Sequence, residues 1–83
     1  MTWYAAELLT RISVWGSPDD SLQDCLGHVN EGDVVFFCCE GPADRFLADD
    51  RVGYVKCLTP KHGFGWILCV VILRSSDLHE VTL

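Results

Sequence analysis

Basic residues are scarce in this chain: six Lys and Arg stand against twelve Asp and Glu in 83 residues, a formal net charge of -6. Such a negative field repels phosphate backbones, and the cations are scattered from Arg11 to Arg74, so no nucleic-acid partner is expected. Long apolar runs are missing as well. The longest, Trp66 to Leu73, is eight residues, against the roughly 20 that a membrane-spanning helix needs. No basic start precedes an apolar stretch in the manner of a secretory signal. The expectation is a soluble, cytoplasmic protein with no membrane partner, or a virion component if the source is viral. There is no Cys-x-x-Cys pair, and five cysteines cannot close a disulfide framework, so neither a zinc ribbon nor a stapled secreted domain fits. Internal repeats, low-complexity tracts and linker composition are absent too, which leaves one domain over residues 1–83.

What the chain does have is apolar mass. Hydrophobic residues make up 49% and charged residues 22%, and the mean hydropathy of +0.22 is far from that of a disordered chain. Surface scaling for 9.3 kDa gives a folded area of about 5,000 Å². Four of the cysteines, Cys38, Cys39, Cys57 and Cys69, lie inside apolar runs, where a reduced thiol behaves as a small hydrophobe.

Residues 3–15 put Tyr4, Ala6, Leu8, Ile12 and Val14 on one parity, with Glu7, Arg11 and Ser13 on the other. That period of two predicts a long first strand. Gly16-Ser17-Pro18-Asp19-Asp20-Ser21 breaks it, and Asp20 or Ser21 is placed to cap a brief helical turn through Leu26. Asn30-Glu31-Gly32-Asp33 turns the chain into Val34 to Cys39, a strand apolar on both parities and so expected to be covered on both faces. Residues 40–53 read as a solvated loop with Phe46 and Leu47 as a hydrophobic plug. Tyr54 to Thr59 reads as a strand, 60–65 as a turn, Trp66 to Arg74 as a strand, and Leu78 to Leu83 as a last segment. In a chain too small for an ordinary two-sheet sandwich, these five strands predict an all-β fold, a small five-stranded antiparallel barrel with a long loop after the first strand. Closure would also hide the edges of very apolar strands.

Two stretches carry a resemblance. Leu26-Gly27-His28-Val29-Asn30-Glu31-Gly32-Asp33-Val34-Val35 is similar to the leucine, spacer, glycine-aspartate and paired-aliphatic approach to the second strand of SH3-like barrels. Val55 to Ile67, ending Gly63-Phe64-Gly65-Trp66-Ile67, resembles the strand, turn and glycine-x-glycine-tryptophan segment of bacterial and viral SH3-type domains. The likeness spans about residues 22–73 and implies an SH3-like barrel. The polyproline-docking members carry an Ala-Leu-Tyr-Asp-Tyr opening, paired tryptophans and a Pro-x-x-Tyr stretch; here none occurs, and Leu68 to Leu73 stands where the last would be. The resemblance then implies a barrel used as a building block in a bacterial or phage assembly.

Chemistry-bearing residues are sparse. Cys57 with His62 is the one candidate thiolate pair, set against a core thiol beside a turn imidazole. Asp19, Asp20, Asp24, Asp44, Asp49 and Asp50 lack calcium-loop spacing, and His28, His62 and His79 match no zinc pattern, so no metal, cofactor or catalytic residue is expected. The aromatics are more informative. Three Trp, two Tyr and four Phe exceed what a five-strand interior encloses. Trp3 and Trp15 share the polar parity of the first strand and are expected at the surface, either at an interface or capping an open barrel end. The expected function is a non-enzymatic structural or adaptor subunit packing on a protein partner or on copies of itself through Trp3, Trp15, Tyr54, Phe64 and Trp66. The alternative is a peptide-binding module with a non-standard groove, Tyr54 and Trp66 stacking and Asp19, Asp20 and Asp24 meeting a basic ligand.

Overall fold

Alternation governs the backbone from the first strand onward. In the computed structural model, which describes residues 1–18 and 24–82, β1 (Thr2–Leu8) turns Ala6 and Leu8 inward and leaves Glu7 in water. β2 (Ile12–Trp15) buries Ile12 and Val14. β3 (Cys25–Val29), β4 (Val34–Cys39), β5 (Tyr54–Thr59), β6 (Gly63–Leu68) and β7 (Ser76–Glu80) complete one antiparallel sheet in the order β3-β2-β6-β5-β4-β1-β7. Two short helices, α1 (Ala43–Ala48) and α2 (Cys69–Ser75), interrupt the strands. The fold is all-β, as the sequence predicts.

The expected five strands are seven among the described residues. The long strand over 3–15 breaks at Leu9 to Arg11, which carry no Gly or Pro to mark the break. Long-range backbone bonds decide it: the Leu9 amide donates to the Ser75 carbonyl (2.8 Å) and the Leu8 amide to Asp33 (2.9 Å). The chain thereby leaves β1, and residues 12–15 pair with 25–29 instead. The helical turn expected through Leu26 gives way to β3 at Cys25 and Leu26; its start at Asp20 or Ser21 lies outside the described residues. The strand expected over Trp66 to Arg74 ends at Leu68. Burying Cys69 and Ile72, three apart, requires a helix there, and α2 ends where the Ser76 hydroxyl donates to the Ile72 carbonyl. The loop over 40–53 contains α1, which follows Pro42 at its N-cap and buries Ala43 and Leu47; of the plug expected at Phe46 and Leu47, Leu47 is buried and Phe46 packs half-buried against the core.

Register fixes what faces what. β1 runs full length against β4, from Thr2 opposite Cys39 to Glu7 opposite Val34, and its other edge takes β7 from Tyr4–Glu80 to Leu8–Ser76. β5 and β6 form a hairpin from Tyr54–Leu68 to Thr59–Gly63. β4 meets β5 at Phe36–Leu58, and β2 meets β6 at Trp15–Trp66. Narrow pairings at these two seams let the sheet curl so that one face collects the core: Ala6, Leu8, Val14, Val29, Val35, Phe37, Cys39, Val55, Cys57 and Ile67, closed off by Leu47 of α1 and Ile72 of α2. The surface of 5080 Å² matches the scaling for this mass.

Candidate interaction surface

The opposite face of the sheet holds the candidate site. β4 is apolar on both parities, but only Val35, Phe37 and Cys39 reach the core. Phe36 is 37% exposed, which corrects the expectation that both faces of residues 34–39 are covered. Its neighbours follow from register: Ala5 stands opposite on β1, Leu58 on β5, and beyond Leu58 stands Phe64 on β6. Leu58 is 39% and Phe64 55% exposed. Cross-strand pairing thus lays Ala5, Phe36, Leu58 and Phe64 in one row across four strands. Trp3 and Val81 border a shallow depression against Phe36 and Leu58, and Val34 and Pro60 border another on the other side of the same pair.

Charge is arranged unevenly around this row. Lys56 shares the outward parity of β5 with Leu58, and its Nζ lies 5.2 Å from the Phe64 ring centroid, a cation–π contact. At the far side, Glu7 of β1 stands opposite Asp77 of β7, both exposed. Like charges directly opposed on neighbouring strands repel.

The residues singled out from the sequence divide. Phe64 lies on the exposed row and Trp3 at its rim, half-buried rather than exposed. Trp15 and Trp66 face one another across β2 and β6, both half-buried, which brings the two together but leaves less ring in water than expected for Trp15. Tyr54 is 8% exposed and cannot serve as a stacking platform, although it shares its parity on β5 with exposed Lys56 and Leu58 while Val55, Cys57 and Thr59 take the inward parity. Asp19 and Asp20 lie outside the described residues. Phe36 and Leu58 were missed. Nothing in Val34 to Cys39 separates one face from the other, whereas Leu58 shares parity with Lys56, a signal that the sequence did offer.

The reactive side chains are otherwise engaged. The His62 ring nitrogen Nε2 sits 3.1 Å from the His28 carbonyl, and the His62 amide donates to the Thr59 hydroxyl (3.1 Å), which itself donates to Gly63 (2.8 Å). His62 therefore ties the β5–β6 turn to β3. Gly27 permits this: its φ is +144°, and a Cβ there would lie 2.8 Å from Nε2. Cys57 makes no use of that imidazole. Burial, then the neighbouring Cys69, pushes its thiol up to about 12, and burial pushes Cys69 to about 11. Both hold their protons at neutral pH and pack as hydrophobes. Among the described residues no three His, Cys, Asp or Glu gather as a metal site, and no helix is long and apolar enough to cross a membrane. A groove of about 410 Å³ between α1 and α2 has Leu47, Leu68 and Leu73 among its walls, with Asp50 and Arg74 at its rim.

Compared with known proteins, the chain matches no family model, no curated protein and no solved structure.

Proposed function

We propose that the protein is a non-enzymatic structural or adaptor subunit that docks on protein through the outer row Phe36, Leu58 and Phe64, with Trp3 at its rim. The observation that carries this is the row itself: three large apolar side chains stay in water side by side on neighbouring strands, held there by register, whereas the other exposed large apolar residues, Met1, Leu9, Leu26 and Val70, lie off that row. An apolar strip on rigid strands loses little conformational entropy on binding, and aromatic anchors dominate interface energies. Docking on a bacterial or phage assembly, inside a cell or virion, belongs to the same proposal.

An SH3-like frame also belongs to it. Its support is the neighbour order β7-β1-β4-β5-β6. Four strands run as a meander, the last returns to the first, and α2 spans from β6 to β7. That is the pairing a five-strand barrel needs along all but one seam, with β2 and β3 formed within the long loop.

The test compares capture by the wild-type chain and by the Phe36→Ser/Leu58→Ser double variant in extracts of cells that make the protein. A protein held by wild type and by an Asp44→Lys control, but lost by the double variant at unchanged thermal midpoint, is the expected result. Identical capture by all three contradicts the proposal.

A further inference from the structure

We infer that the partner on this row is a second copy of the chain, related by a two-fold axis through Phe36; the inference rests on the docking reading above. Glu7 and Lys56 carry it. Each lies one strand over and two residues along from Phe36, Glu7 beyond Ala5 on β1 and Lys56 before Leu58 on β5. Because β1 and β5 both run antiparallel to β4, these two positions fall at diagonally opposite corners of the patch, each about 8 Å from Phe36 by strand spacing and rise. A two-fold axis lying in the contact plane through Phe36, perpendicular to the line joining Glu7 and Lys56 and so running on the Trp3 and Pro60 sides of the patch, exchanges the two corners. Face to face, Lys56 of each copy then meets Glu7 and Asp77 of the other, and the contact forms twice. The strands of the two sheets cross steeply, as in orthogonal sheet packing.

This arrangement answers an oddity of the single chain. Glu7 and Asp77 oppose each other on adjacent strands with no cation recorded beside them among the described residues. A lysine from the second copy supplies the missing counter-charge, while Phe36 meets Phe36 and Leu58 meets Val34 at the centre. Size sets the strength. Phe36, Leu58 and Phe64 leave on the order of 250 Å² of side chain in water, and Trp3, Val34, Pro60 and Val81 widen the patch toward ~400 Å², near the largest a monomer shows. That is about half of one side of a standard interface. A patch of this size fits a weak, reversible dimer rather than an obligate one.

Sedimentation equilibrium of the purified chain over a concentration series tests it. The mass of wild type should climb from 9.3 kDa toward twice that. Lys56→Glu should weaken the association roughly tenfold, as should Glu7→Lys with Asp77→Lys, and reversing all three charges together should restore it to within about threefold of wild type. Circular dichroism checks that these exposed substitutions leave the fold intact. A wild-type mass fixed at 9.3 kDa to ~1 mM overturns the inference. So does a triple variant no stronger than either partial reversal. If the chain is monomeric yet Phe36→Ser/Leu58→Ser still loses a captured protein, the docking surface stands and its occupant is another chain; if neither is seen, both readings fall.

Discussion

Gly65 has no room for a side chain. It lies buried on β6, where a Cβ would collide with the Val14 Cγ1 methyl and touch Leu26 at 3.5 Å, so the β2–β3 hairpin seats on β6 through that glycine. Gly65→Ala should cost about 1–3 kcal/mol in urea unfolding, as overpacking does, and should loosen the Trp15–Trp66 contact, read as a tryptophan emission shift. The thiols give a second check. At pH 8 a disulfide reagent should modify exposed Cys25 quickly and reach Cys57 and Cys69 only on unfolding. Folded Cys57 titrates at about 12 against an ordinary 9.0, so the group favours the native state below pH 9 and loses that advantage as pH climbs from 9 to 12. A thermal midpoint constant across that range would contradict its burial. At this scale the sequence was partly legible: of the four cysteines in apolar runs Cys39, Cys57 and Cys69 are buried while Cys38 is half-buried on the outward parity of β4, and the parity of residues 3–15 chose the buried side correctly for Ala6, Leu8, Ile12 and Val14. Tyr54 misled because it is buried although it shares parity with exposed Lys56 and Leu58, so alternation along β5 does not foretell its burial. Phe36 misled because its neighbours are as apolar as it is.

At the level of elements, α2 shows why local pattern was insufficient. Val70, Val71, Ile72 and Leu73 favour a strand by intrinsic preference. The helix wins because Cys69 and Ile72 enter the core together and the Cys69 amide is taken by the Gly53 carbonyl at 2.9 Å. Ile72→Ala should therefore cost about 2–5 kcal/mol and release α2 together with β7, which follows it directly. Amide exchange should show residues 69–80 losing protection as a unit; protection lost at Ile72 alone would contradict the packing role given to α2. The strands over 34–39 and 54–59 were readable because turn residues bound them on both sides. The break at Leu9 to Arg11 was not, because it is set by contacts with Asp33 and Ser75, far away in sequence.

At the scale of the whole molecule, charge and apolar surface are separated. The sheet ends in two five-residue strands, β3 and β7, and β7 carries Asp77 and Glu80, a guard against edge-to-edge aggregation. The apolar surplus is instead displayed on the sheet's outer face, where register keeps Phe36, Leu58 and Phe64 in line and Lys56 stands across from Glu7. The sequence placed the surplus rings on Trp3, Trp15, Tyr54, Phe64 and Trp66; the fold half-buries the tryptophans, buries Tyr54, and exposes Phe64 together with Phe36. The most direct measurement is photo-cross-linking from the centre of that face. A benzophenone side chain carried in place of Phe36 should yield protein adducts in cell extract, while the same group carried in place of Asp44 on α1 should yield almost none. Equal yields from the two positions, or none from position 36, would contradict a docking role for this surface.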